Sequence, residues 1–131
     1  MTPASSSRPR VLCIDDSLLI RKTIAMTLGA GVELLSAATA REGLAMADQQ
    51  QPLLIITDIH MPGMDGFEML AELKANPRTA HIPVVALTSA SGVAQKERGL
   101  QAGFVEYVPK TADLSALMRL VAHYSRAAAA S

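Results

Sequence analysis

The sequence predicts an α/β fold: a doubly wound parallel sheet of five strands in the order 2-1-3-4-5, built as five successive strand–helix units in one domain. Three observations point there. Short apolar runs alternate five times with segments of helical period. Three of those runs, Val11-Leu12-Cys13-Ile14, Leu53-Leu54-Ile55-Ile56 and Val84-Val85-Ala86-Leu87, carry no polar alternation, the mark of strands covered on both faces. Strand–helix–strand units of this length cross over right-handedly, which leaves few topologies.

The elements follow in chain order. The first strand is expected over Arg10 to Ile14, and the helix after it shows Ile20, Ile24 and Leu28 at i, i+4, i+8. The second strand is expected over Val32 to Ser36, with Thr39 and Glu42 at capping-box spacing before the next helix. The third, Leu53 to Thr57, leads into a Pro/Gly turn, after which Asp65 and Glu68 repeat the capping-box spacing. Val84 to Leu87 forms the fourth strand. The helix behind it, about Ser91 to Gln101, is the weakest, with Gly92, Gly99 and few apolar anchors, so it is expected to be the most mobile. Phe104 to Val108 forms the fifth strand, and Leu114, Leu117, Met118 and Val121 mark the fifth helix. The folded domain is expected to run over 10–125, with solvated tails at 1–9 and 126–131, and no internal repeat is visible.

The 131 residues are long enough for one real core. Half are hydrophobic but only 3% aromatic, so aliphatic side chains and Met fill the interior. Twelve basic and twelve acidic residues cancel, without the basic excess of a nucleic-acid binder. The lone Cys13 forms no internal disulfide and reads as buried packing, which suits a reducing, cytoplasmic location. No stretch reaches the ~20 apolar residues of a membrane helix, and the N-terminus lacks an apolar signal region.

Five polar residues fall at the ends of four expected strands: Asp15 and Asp16, Asp58, Thr88 and Lys110. A parallel sheet brings all four ends to one edge, where ligands of this fold class bind. Singly, each has an ordinary reading. Asp15 or Asp16 would cap the helix that Ser17 begins, Asp58 would serve the turn, Thr88 would be a strand-end hydroxyl, Lys110 a surface lysine and Tyr107 half-buried packing. Jointly the ordinary readings require a coincidence of five. Two carboxylates ~4 Å apart repel by about 4 kcal/mol at an effective dielectric near 20, so three acids in one pocket need cations. Lys110 supplies one charge, and a small hard divalent ion, Mg²⁺ or Mn²⁺, supplies the rest. Such a site suits phosphoryl transfer to a carboxylate.

The set Ile14-Asp15-Asp16-Ser17, Thr57-Asp58-Ile59-His60-Met61-Pro62-Gly63-Met64-Asp65-Gly66, Leu87-Thr88-Ser89-Ala90 and Tyr107-Val108-Pro109-Lys110 resembles response-regulator receiver domains of the CheY-like kind, over roughly Arg10 to Tyr124. The resemblance implies a non-enzymatic two-component signalling protein, in which Asp58 takes a phosphoryl group from a histidine kinase or a histidine phosphotransfer protein. The metal would be held by Asp16, Asp58 and the His60 backbone carbonyl, with Asp15 acting through water. Thr88 and Lys110 would contact phosphoryl oxygens. Movement of Thr88 toward the anion would let Tyr107 turn inward and change partner affinity on the face of the fourth helix, fifth strand and fifth helix. His60 and Ala90 would tune phosphoryl lifetime. One departure is Lys110-Thr111, where the family usually has Lys-Pro.

Other functions fit less well. An aspartate-nucleophile phosphatase wants a second acid two residues after the nucleophile, where His60 stands. A flavodoxin-like cofactor binder wants a Ser/Thr/Gly-rich phosphate loop, where Asp15-Asp16-Ser17-Leu18 stands. A scaffold that never turns over phosphate would not need the intact acid set. No DNA-binding module is expected in the few residues that follow Tyr124. Within the receiver reading, the alternative output is a phosphorelay intermediate or a phosphate sink.

Overall fold

The unbroken apolar runs become the middle of the sheet. The computed structural model describes residues 8–88, 93–110 and 114–130. Strands β1 (Arg10–Ile14), β2 (Glu33–Ala37), β3 (Leu54–Asp58), β4 (Val84–Thr88) and β5 (Glu106–Pro109) are all parallel and lie in the order β2-β1-β3-β4-β5. Every residue of β3 and β4 is buried, as is all of β1 after Arg10, whereas the edge strands β2 and β5 are partly open. Central strands covered on both faces need apolar side chains at every position; edge strands do not.

Helices α1 (Leu18–Leu28), α2 (Ala40–Gln50), α3 (Gly66–Ala75), α4 (Val93–Ala102) and α5 (Ser115–Ala130) cover the two faces. Successive strand residues alternate between two cores. Leu12, Ile14, Ile55, Val84, Ala86 and Tyr107 pack with Ala40, Ala47, Met69, Leu70 and Leu73 from α2 and α3. Val11, Cys13, Leu54, Ile56, Val85, Leu87 and Val108 pack with Ile24, Leu28, Leu117 and Val121 from α1 and α5. Each fully buried aliphatic side chain contributes roughly 1.5–3 kcal/mol.

Element ends differ from the sequence expectation in ways that bear on function. β3 and β4 each run one residue further, so Asp58 and Thr88 are the last residues of their strands, not the first residues beyond them. Their backbones are therefore fixed by pairing, Asp58 opposite Leu87 and Thr88 opposite Pro109. β2 starts one residue later than expected and β5 two, because edge pairing, not hydrophobicity, sets their limits. Of the 1–9 tail, Pro9 already joins the fold: its carbonyl accepts the Glu33 N–H at 2.9 Å. At the other end α5 continues through Ala130, past the domain boundary expected at 125, since an alanine run is the best helix-forming sequence available.

Candidate functional site

Four strand ends converge on one edge of the sheet, and the acids converge with them. Ligand oxygens of Asp15, Asp16 and Asp58 lie within 4.8 Å of one another. Asp15 and Asp58 are buried and Asp16 is exposed. The N-cap of α1 is Ser17, whose hydroxyl accepts the Ile20 N–H at 3.3 Å. Neither acid is consumed by capping. Asp15 is instead held in place: its Oδ1 accepts the Ser17 N–H at 2.8 Å, and its backbone carbonyl accepts from Arg21. Sequence reasoning missed Arg21, which the i+6 offset from Asp15 across a turn does not advertise.

Lys110 reaches in from the end of β5. Its Nζ lies 3.0 Å from Asp15 Oδ2 and 3.3 Å from Asp58 Oδ1. Its backbone N–H donates to the Thr88 carbonyl at 2.7 Å, which sets the lysine beside the buried threonine. Asp58 Oδ1 also accepts the His60 N–H at 3.3 Å. The His60 side chain is exposed, and no part of the cluster uses its ring. Tyr107 is buried, its ring against α4. The site therefore gathers Asp15, Asp16, Asp58, Thr88 and Lys110, with His60 at its rim. Ala90 and Thr111 lie outside the described residues. His81 and His123 are exposed, and neither belongs to the acid cluster.

The electrostatics are unbalanced. Three carboxylates face one ammonium, and the Arg21 guanidinium beside them is held by the Asp15 backbone carbonyl, not by a carboxylate, so the acids outnumber the cations that pair with them. Burial, then the charge of Asp15, pushes the Asp58 carboxyl above its ordinary range, and Lys110 and the His60 N–H only partly offset this. Burial opposes the charged form of Lys110, but its close pairing with the Asp15 and Asp58 carboxylates outweighs that and raises it overall. Asp15 Oδ2 is buried and, apart from the ion pair, accepts no well-directed hydrogen bond. A buried carboxylate oxygen without such a partner is costly unless a cation serves it. A surplus of carboxylates over paired cations, oxygen donors only and one exposed acid for entry together fit a small hard divalent ion.

Turn geometry holds Asp58 toward this edge. Gly66, the first residue of α3, donates its N–H to the Ile59 carbonyl at 2.8 Å. A Cβ there would sit 2.7 Å from the Asp58 carbonyl oxygen and 2.9 Å from Ile59 Cα. Both are backbone atoms, so only glycine lets the helix approach the loop this closely. Asp65 and Glu68 complete a reciprocal capping box at 2.8 and 2.9 Å. The second expected box is looser: Thr39 caps Glu42 N–H, but the Glu42 carboxylate reaches one residue further back, to Ala38 N–H.

Known proteins resemble this chain in sequence and fold. The family model described as the response regulator receiver domain matches residues 11–122. Over 114 residues the chain is 35% identical to the DNA-binding dual master transcriptional regulator RpaA of Synechocystis sp., a match covering 86% of this chain but 47% of that protein. It is 32% identical to Protein PilH of Pseudomonas aeruginosa over 113 residues, 86% of this chain and 93% of the other. The chain thus spans about half of one relative and nearly all of another. The chemotaxis protein CheY4 of Vibrio cholerae superposes with a TM-score of 0.80 at 30% identity, covering 89% of this chain and 98% of that one. The chain belongs to the response regulator receiver domain family, the phosphoacceptors of two-component signalling.

Proposed function

We propose that Asp58 is the phosphoacceptor. The observation that carries this is its place: the last residue of β3, buried, and sharing a pocket with Asp15, Asp16 and Lys110 in which carboxylates outnumber the cations paired with them. A carboxylate oxygen of Asp58 attacks the phosphorus of a phosphohistidine donor, the P–N bond breaks, and the leaving imidazole takes up a proton. Lys110, already 3.3 Å from Asp58, pairs with a phosphoryl oxygen as the acyl phosphate forms. Thr88, one strand over, offers its hydroxyl to another. Asp16, Asp58 and the His60 carbonyl would hold Mg²⁺ or Mn²⁺, with Asp15 acting through water. When bound, the ion neutralises charge on the transferring group. The chain assists only its own phosphorylation and dephosphorylation.

The donor must bring its imidazole to this edge. Leu18 and Leu19, 57% and 72% exposed at the start of α1, offer it an apolar rest. A histidine kinase or histidine phosphotransfer protein fits that requirement, and a cytoplasmic location follows from such a donor and from the unpaired Cys13. No described helix is long and apolar enough to cross a membrane. Output runs through the α4–β5–α5 face, where Glu106, Tyr107, Pro109, Ala116, Arg119 and Leu120 line a groove of about 290 Å³. The switch is Thr88 with Tyr107. His60, exposed at the rim, tunes phosphoryl lifetime, a role also assigned to Ala90.

Incubation with acetyl phosphate and Mg²⁺ is expected to add one phosphoryl mass to the wild type and none to Asp58→Asn. Unaltered wild-type mass, or equal modification of the variant, overturns the assignment.

A further inference from the structure

Gly99 sits inside α4, where glycine is the poorest helix former after proline, so its presence calls for a packing reason. The reason is a ring. A Cβ at position 99 would lie 2.7 Å from Tyr107 Cδ1 and 2.8 Å from Cε1, closer than non-bonded carbons approach, and 3.7 Å from Phe104 Cδ2. The chain has only four aromatic residues, two Phe and two Tyr, and three of them, Phe67, Phe104 and Tyr107, gather here. Phe67 and Phe104 meet edge to face at 5.5 Å. The Arg98 guanidinium lies over the Phe67 ring at 4.4 Å and ties α4 to α3 beside the notch. A cavity of about 50 Å³ between Ile59, His60, Phe67, Arg98 and Tyr107 lies alongside, within two residues of Asp58.

We infer that Gly99 is the positioning residue for Tyr107: the missing side chain is the seat that keeps the ring inward, and with it the shape of the α4–β5–α5 face. The contacted atoms belong to a side chain that can swing about its own χ1, so an added methyl displaces the ring and leaves the helix in place. The signalling meaning of this seat rests on the Asp58 reading above; the steric claim does not.

The test exploits the absence of tryptophan. In Tyr124→Phe, Tyr107 is the sole tyrosine and its emission reports that ring alone. Without Mg²⁺ or phosphodonor, acrylamide should quench it weakly in Tyr124→Phe and several-fold more strongly in the Gly99→Ala/Tyr124→Phe double variant. In parallel, Gly99→Ala should raise the melting temperature by several degrees in a Tyr107→Ala background, through helix propensity alone, and fail to do so when Tyr107 is present. Equal quenching, or the same melting gain with and without Tyr107, overturns the inference. If the double variant does not fold, adding Tyr107→Ala must restore folding, and failure to do so overturns it as well. Because no phosphate is involved, a negative result here leaves the Asp58 assignment standing, and the reverse also holds.

Discussion

Lys110 decides how two buried acids coexist. Its ammonium bridges Asp15 and Asp58, so deleting it leaves both without their shared cation. Lys110→Ala is expected to lose about 1–3 kcal/mol of stability in chelator, with much of the loss recovered in saturating Mg²⁺; thermal melts with and without the ion check both halves. Cys13 makes a second residue-scale prediction. Burial, reinforced by Asp15, pushes its thiol from 9.0 up to about 12. The thiolate is the reactive form, so native protein should resist maleimide or disulfide reagents at pH 8 and label fully in denaturant. Fast native labelling would show the β1 packing to be wrong. Between pH 9 and 12 the native chain holds this proton and the unfolded chain does not. The stability contributed is therefore complete below pH 9 and is lost as pH rises toward 12, at up to about 1.4 kcal/mol per unit.

At the scale of elements, the junction of β3 and α3 matters most. Asp65 and Gly66 are adjacent but do different things. Asp65 caps α3 on the outside of the turn, whereas Gly66 touches the backbone of Asp58 itself. Asp65→Ala is expected to cost about 1 kcal/mol of stability and leave the phosphorylation rate of Asp58 close to wild type. Gly66→Ala is expected to cost about 1–3 kcal/mol and slow phosphorylation as well, because the phosphoacceptor loop must move. Acetyl phosphate kinetics on both variants separate the two; equal rates would remove Gly66 from the site. Much of this junction was legible in the residues alone. The apolar run, the Pro/Gly turn and the Asp65–Glu68 spacing mark a strand, a turn and a cap. The close approach of Gly66 was not, since it depends on where α3 comes to rest.

The whole molecule carries its stability cost at one edge. Asp58 titrates higher when folded than when unfolded. Between the ordinary carboxylate range and that raised value the native chain binds more protons, so stability falls as pH rises through the window and the cost persists at neutral pH. Asp58→Asn should therefore melt higher than wild type in chelator. Mg²⁺ reverses the ranking, adding about 2.7 kcal/mol to the wild type at a hundred times its Kd. A wild-type melting temperature indifferent to Mg²⁺ would contradict the carboxylate surplus on which the site rests. What the chain determined by itself is the architecture and the meeting of Asp15, Asp16, Asp58 and Lys110 at one edge: unbroken apolar runs specify buried parallel strands, and a parallel sheet sends their ends to one edge. Only the tertiary structure decided that Asp15 is buried and Asp16 exposed, that Lys110 bridges two acids, and that Gly66 and Gly99 are notches for a backbone and a ring. Those facts come from contacts between segments far apart in sequence, at distances of a few ångströms, and local patterns of polarity do not encode them.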